Sequence, residues 1–401
     1  MEVVIKPSKA KGNVTAPPSK SMAHRALICG AFTQKSVIRN VDFSNDIKAT
    51  LDALKNLGSN VLIEKNIVTI GGLTFDTVPD NAVIDCLESG STLRFLLPFC
   101  MSCGKKVTLK GSKRLFERPL TVYEDIAKGQ GILFEKNEQS VTVCGSLKSG
   151  KYKVVGNISS QFISGLLFTL PLICGESEIE IVGNFESASY IDLTVASLLD
   201  FGVEIRCENN KFFVCKSNEY KSAEYTVEGD CSNAAFLEAF NYIGGNVIVE
   251  GLKTDTLQGD RVYKDIFEGL KNGQKQFDLS DCPDLAPVVF ALSSVYGGAE
   301  FTGTKRLKIK ESDRSEVMKT ELLKFGIEIV VLENSVIVKK GELKVPKESL
   351  SSHNDHRIAM ALTLLLSIKG GGLEGAEAVA KSFPNYFRDI KKLGLDVNEV
   401  N

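Results

Sequence analysis

The chain has 401 residues and a formal net charge of -2, with 48 Lys and Arg against 50 Asp and Glu. That balance gives no global field for nucleic acid, so any cationic surface is local and suits a small anionic ligand. Apolar residues make up 43% and charged residues 24%, as in a soluble globular protein long enough for two domains, and no apolar run approaches the ~18 residues that span a membrane.

The start, Met1 to Pro7, has no signal-peptide pattern, so the cysteines are expected as reduced thiols in a cytoplasm. Cys29, Cys86, Cys174, Cys207 and Cys215 lie in apolar runs and read as buried thiols. Cys100 and Cys103 form one C-x-x-C without a second pair nearby, which argues against zinc.

The first chemically informative element is a helix after Pro18-Ser19, reading Lys20-Ser21-Met22-Ala23-His24-Arg25. Ser21 and Arg25, four apart, share a face. A helix start presents free N–H groups and partial positive charge, so Lys20 and Arg25 beside it suggest an anion clamp. The plainer alternative is a capped surface helix. Asp52–Gly58 then reads as the end of an amphipathic helix with a Gly cap, followed by strands Val61–Ile63 and Ile67–Ile70. Ser89-Gly90-Ser91-Thr92-Leu93-Arg94 opens a helix over Phe95–Met101, and Gly90 allows close backbone approach to a ligand. Arg118 precedes Pro119, and a weaker helix–Gly unit ends near Gly129.

Ser159-Ser160-Gln161 begins an apolar helix. Capping needs one of these groups, so two remain for a sugar hydroxyl or phosphate oxygen. Ser189 and Asp192 fit a capping box, which leaves Tyr190 and Ser187 for other work. Ala196–Gly202 repeats the helix–Gly unit, with strands Val203–Ile205 and Phe212–Val214. Crossovers between domains are expected near Pro17-Pro18 and at Glu228–Asn233.

A further weak copy ends near Gly273. Asp284 follows Pro283 and is either a helix cap or a general base. In Lys310-Glu311-Ser312-Asp313-Arg314, a capping box from Asp313 to Glu316 spares Lys310, Glu311 and Arg314. Glu321–Gly326 is the third strong copy, with strands Ile327–Val330 and Val336–Val338. Asn354 or Asp355 caps the apolar helix Ile358–Ile368 and places Arg357 in its first turn. His353 and His356 are too few for a metal site. Lys381 precedes Phe383-Pro384, and the last weak copy ends near Gly394. Five basic helix starts suggest a substrate with several negative charges.

In this order, from Lys20 to Phe387, the motifs resemble the 5-enolpyruvylshikimate-3-phosphate (EPSP) synthase family. The most specific are Pro18-Ser19-Lys20-Ser21 with Arg25, Ser159-Ser160-Gln161, Tyr190-Ile191-Asp192, Lys310 to Arg314, Asn354 to Arg357, and Lys381. The resemblance implies an α+β (mixed α/β) fold of two inside-out prisms, each of three βαβαββ units, closing like a hinge. It implies domains at residues 14–228 and at residues 1–13 with 229–401. It implies addition–elimination that moves the enolpyruvyl group of phosphoenolpyruvate to the 5-hydroxyl of shikimate 3-phosphate and releases phosphate. The enzyme so implied is a cytoplasmic monomer with no cofactor, no metal and no nucleic-acid or membrane partner.

The resemblance assigns Lys20, Ser21, Arg25, Ser159, Ser160, Gln161, Ser187, Tyr190, Asp284 and Lys310 to shikimate 3-phosphate. It assigns Lys20, Gly90, Arg118, Gln161, Arg314, His356, Arg357 and Lys381 to phosphoenolpyruvate. Asp284 matches the base on the 5-hydroxyl and Glu311 the acid at the methylene carbon, with Lys20 as the third catalytic group. Gly90 implies room for glyphosate. Glu88, Ser91, Phe95 and Arg306 depart from the residues common in the family. A sister transferase acting on UDP-N-acetylglucosamine uses a loop Cys five residues before an Arg-Pro, where this chain has Lys113. A non-catalytic phosphosugar-binding protein would not need both Asp284 and Glu311.

Overall fold

In a computed structural model, which describes residues 1–215 and 219–400, the repeated helix–Gly–hairpin unit is the building block. Helix Asn45–Asn56 ends before Gly58, whose φ of +104° suits glycine, and strands Asn60–Glu64 and Ile67–Gly71 pair antiparallel. Helix Ala188–Asp200, Gly202 and strands Ile205–Glu208 and Lys211–Val214 repeat it. So do helix Arg314–Lys324, Gly326 and strands Ile329–Val331 and Ser335–Val338.

The weaker copies differ in detail. Gly129 lies inside helix Thr121–Gln130, and the left-handed cap is Gly131, two residues on. Gly273 leads to one strand, Gln276–Asp278, rather than two. Gly394 leads to Val397–Val400, whose antiparallel partner is the distant strand Glu2–Ile5.

Four sheets among the described residues share one order: two parallel strands, then an antiparallel hairpin added in reverse. In a fifth, Leu350–Ser351 and Gly371–Glu374 are followed by the distant strands Glu2–Ile5 and Val397–Val400. In one of the four Ala82–Asp85 pairs parallel with Val107–Lys110, then come Ser140–Cys144 and Leu133–Lys136. Where the two parallel strands follow one another in the chain, as here, a helix makes the crossover between them. The sixth sheet has two strands, Lys11–Thr15 and Asn246–Glu250.

The chain forms two compact units, one from Pro18 to Glu228 and one from Met1 to Pro17 joined with residues from Gly229 onward. Residues 14–17 belong to the latter, because Val14 and Thr15 pair with Val249 and Glu250 and the Pro17 carbonyl accepts the Asp230 N–H. In both units the helices form the core. Helix Gly90–Cys100 is buried except at Ser91, and helix His356–Lys369 is buried through Ser367. Strand Ala82–Asp85 instead alternates buried and exposed, as a sheet with one wet face does. Helices Gly90–Cys100 and Ser160–Thr169 cross closely at Gly165, where a Cβ would lie 2.3 Å from the Arg94 carbonyl oxygen and from the Tyr123 hydroxyl. No described helix is long and apolar enough to cross a membrane.

Burial of the cysteines is mixed. Cys29, Cys86, Cys100 and Cys103 are buried, but Cys174, Cys207 and Cys215 are exposed. Cys207 is in the exposed run Arg206–Glu208 that ends its strand, and Cys215 lies just beyond a strand end.

Candidate active site

The unit Pro18–Glu228 gathers its candidate residues at helix starts. Lys20 opens helix Lys20–Ala31, and its Nζ is 2.7 Å from Oδ2 of Asp46 in the first turn of the next helix. Arg25 is buried. Its Nε donates to Thr194 Oγ1 at 2.9 Å, and Nη1 and Nη2 donate to the carbonyls of Ser21 and Tyr190, each at 2.7 Å. Burial brings its pKa down to about 10, which leaves it charged at neutral pH. Thus Arg25 locks Ser21 and Tyr190 through their backbone.

His24, one residue earlier, is held neutral: burial first, then the charges of Lys20 and Arg25, keep its pKa well below the ordinary value. Its Nδ1 meets Thr50 Oγ1 at 2.8 Å, Thr50 meets Thr92 at 2.6 Å, and the Thr92 hydroxyl donates to Ser89 Oγ at 2.7 Å. Ser89 caps helix Gly90–Cys100 by accepting the Thr92 N–H. The helix therefore starts at Gly90, five residues before the expected Phe95.

Gly90 carries the Arg118 guanidinium on its backbone: a Cβ there would be 2.7 Å from Nη1. Arg118 is buried, and its Nε has no hydrogen-bond partner among the described residues. A guanidinium laid on a helix N-terminus adds its charge to the partial positive charge there, which is a setting for an anion. One turn on, Arg94 donates to Gln161 Oε1 at 3.0 Å and to the Pro119 carbonyl at 3.1 Å. Gln161 Nε2 donates to Ser91 Oγ at 3.0 Å, while Ser159 caps the Gln161 N–H. Ser160 is the first residue of that helix. Ser187 has φ +58° and is itself the cap residue of helix Ala188–Asp200. The helix starts earlier than expected, so Ser189 is its second residue and not its cap. Tyr190 lies in the first turn.

The other unit builds an ion-pair network around Asp284. This residue sits in the turn Pro283–Leu285 and is not a helix cap. Its Oδ1 accepts from Arg314 Nη1 at 2.8 Å and Lys310 Nζ at 3.1 Å, and Oδ2 accepts from Arg357 Nη2 at 3.0 Å. Burial pushes the Asp284 pKa up, but Arg357, Lys310 and Arg314 outweigh it and hold the carboxyl well below the usual range. Burial pulls the Lys310 pKa down, against the opposing effect of Asp284.

Arg314 is 1% exposed and shared among three carboxylates. Besides Asp284 it donates to Glu311 Oε2 at 2.8 Å and Asp355 Oδ2 at 2.9 Å. Asp355 caps helix His356–Lys369 through the Arg357 N–H and also accepts from Ser312. Arg357 Nη1 donates to Ser232 Oγ at 2.9 Å and to the Asp284 carbonyl at 3.2 Å. The Ser232 hydroxyl donates a hydrogen bond to Asp260, whose pKa is raised by burial and then by Asp284. His356 is buried beside Asp355, and Lys381 Nζ donates to the Asn354 carbonyl. Here Lys310, Arg314 and Arg357 each face a carboxylate, so an arriving anion must compete with Asp284 and Glu311.

A sequence profile described as EPSP synthase (3-phosphoshikimate 1-carboxyvinyltransferase) matches residues 4–390. The chain belongs to the EPSP synthase family. It is 42% identical to a 3-phosphoshikimate 1-carboxyvinyltransferase of Clostridium kluyveri, over 99% of this chain and 98% of that protein. It is 40% identical to one of Clostridium perfringens, over 98% of each. The fold is similar to that of an EPSP synthase from Acinetobacter baumannii, with a TM-score of 0.79 at 22% identity over 99% of this chain and 100% of that one.

Within this EPSP synthase family member, the structure brings Lys310, Glu311, Arg314, Asp284 and Arg357 into one network, and Gly90 against Arg118. Sequence reasoning missed Asp46 opposite Lys20, Ser232 and Asp260 behind Arg357, and Arg94 on Gln161. Arg94 was visible in its motif, but nothing local indicated its partner, 67 residues away. Among the described residues no group of three or more His, Cys, Asp or Glu is arranged to hold a metal ion.

Proposed function

We propose that both clusters serve one reaction, the transfer of the enolpyruvyl group of phosphoenolpyruvate to the 5-hydroxyl of shikimate 3-phosphate with release of phosphate. The activity follows from the family and from full-length relatives bearing the name 3-phosphoshikimate 1-carboxyvinyltransferase. The observation that carries the residue roles is Asp284 held between Lys310, Arg314 and Arg357. A carboxylate so surrounded sits where anions are drawn and is freed as they take its cations.

In this reading Lys20, Ser21, Arg25, Ser159, Ser160, Gln161, Ser187, Tyr190 and Lys310 hold shikimate 3-phosphate. Gly90, Arg118, Arg314, His356, Arg357 and Lys381, with Lys20 and Gln161, hold phosphoenolpyruvate. The 5-hydroxyl oxygen attacks C2 of phosphoenolpyruvate and loses its proton to Asp284. Glu311 delivers a proton to the methylene carbon, with Lys20 as the route of resupply. Glu311, a carboxylate after that transfer, then takes a methyl proton as the bond from C2 to the phosphate oxygen breaks, which forms the enol ether and expels phosphate. Positioning alone supplies roughly 7–11 kcal/mol of such a barrier. The reading includes a cytoplasmic monomer acting on small molecules. Phosphate release requiring both substrates tests it; no release from the pair refutes it.

A further inference from the structure

Helix Arg314–Lys324 carries a second grip two turns beyond Arg314. Residues seven apart share a helix face, so Arg314 and Glu321 both face the segment Leu350–Asp355. Arg314 holds its end through Asp355. Glu321 holds its beginning: Oε2 accepts the Ser351 N–H at 3.1 Å and Oε1 meets His353 Nε2 at 2.9 Å. Glu321 is 1% exposed, and Lys324 Nζ lies 3.1 Å from its Oε2. A buried carboxylate with three partners is a costly device unless it holds something in place.

What it holds is a turn that local preference opposes. His353 and Asn354 have φ of +47° and +56°, the left-handed region where side chains other than glycine are disfavoured. Ser351 Oγ and Ser352 Oγ accept the N–H groups of His353 and Asn354 at 3.1 and 3.2 Å. The carbonyl leaving this turn, that of Asn354, takes Lys381 Nζ, and the next residue, Asp355, takes Arg314 and the Arg357 N–H.

We propose that Glu321 is a positioning residue for phosphoenolpyruvate: by clamping the left-handed turn Ser351–Asn354 it fixes the Asn354 carbonyl, and through it Lys381, in the geometry the anion needs. Glu321 touches no substrate. The inference rests on the reading above, in which Lys381 and Arg357 meet phosphoenolpyruvate.

The test uses the full-length protein. Glu321→Ala is expected to raise the KM for phosphoenolpyruvate by on the order of 10- to 100-fold, the scale of a misplaced positioning group. The Kd for shikimate 3-phosphate should stay near wild type. Glycine adopts the left-handed turn freely, so Glu321→Ala with His353→Gly should recover most of the KM loss. Hydrogen exchange at Asn354 to Arg357 should quicken in Glu321→Ala without substrate, which reads the clamp independently of turnover. If Glu321→Ala does not fold, Glu321→Gln, which keeps one acceptor oxygen, should give a smaller KM rise. An unchanged KM in either variant, an equal loss of shikimate 3-phosphate affinity, or no recovery with His353→Gly overturns the proposal. If wild type releases no phosphate, the functional reading fails; the exchange result still judges the clamp.

Discussion

A Cβ at residue 90 would lie 2.7 Å from Nη1 and 3.0 Å from Cζ of Arg118, so Gly90 is the floor on which this guanidinium rests. The family resemblance places the added methyl of a Gly90 variant against the bound anion. The structure places it first against the cation that would hold the anion.

Gly90→Ala should therefore act by lifting Arg118. The flexible guanidinium can yield, so the cost should be moderate, about 1–3 kcal/mol of anion binding as for other overpacked sites. The KM for phosphoenolpyruvate should rise. Glyphosate, the longer ligand, should lose more affinity than the substrate. Competition kinetics on both proteins measures the two losses, and equal losses would show that ligand length adds nothing to the displacement of Arg118.

Asp284→Ala should lower turnover by on the order of 100- to 10,000-fold, as for loss of a positioned base, while shikimate 3-phosphate still binds. A fall of less than tenfold at saturating substrates would assign Asp284 to charge balance alone. The stability linkage has a definite sign. The folded-state pKa of Asp284 lies below the unfolded value of about 3.9, so its contribution is complete above that pH and lost only as pH falls toward the folded value. In urea unfolding of wild type and Asp284→Ala, the part of the difference due to the Asp284 carboxylate itself should be constant from pH 5 to 8. That part should shrink only below about pH 4. Relief of Asp260, whose pKa burial and then Asp284 raise to about 6, adds a pH-dependent part up to about that value.

The same ion pairs predict a change of basicity on binding. Arg357 Nη2 cannot serve both Asp284 Oδ2 and an incoming phosphate fully. As the anion takes the cation, the Asp284 pKa should rise and the carboxylate become a better base. The acid limb of kcat, which reports the bound enzyme, should therefore lie at higher pH than that of kcat/KM. Coincident limbs would show that the cations stay on Asp284.

How far the sequence showed this follows from the range of each interaction. Asp355 and Asp313 were legible as caps because a cap bonds an N–H two or three residues on. The three strong helix–Gly–hairpin units were legible for the same reason. Asp284 looked like a cap because Pro283 precedes it, and only the fold brings Arg314 and Arg357 to it from 30 and 73 residues away. Nothing in the local sequence singles out Asp46 or Glu321. Their partners lie on other elements, and no local pattern names them.

Gly165→Ala should destabilise the unit Pro18–Glu228 by about 1–3 kcal/mol, since the methyl would overlap the Arg94 carbonyl and the Tyr123 hydroxyl. Tyr123→Phe removes a hydroxyl that donates to the carbonyls of Arg94 and Phe162, at a cost of about 0.5–1.5 kcal/mol. The double variant should not recover wild-type stability, because the Arg94 carbonyl still blocks the methyl. Denaturant midpoints of the four proteins decide, and full recovery would place the clash on the hydroxyl alone.

Strand Glu2–Ile5 lies between Gly371–Glu374 and Val397–Val400, and strand Lys11–Thr15 pairs with Asn246–Glu250. During synthesis these first strands leave the ribosome long before their partners exist. Everything needed by Pro18–Glu228 emerges earlier, so this unit can fold while the opening strands wait. For most of translation those strands have unpaired edges, and unpaired edges are where nascent chains associate wrongly. The order in which the ribosome delivers the chain thus leaves Glu2–Ile5 dependent on protection until Gly371–Glu374 and Val397–Val400 are made.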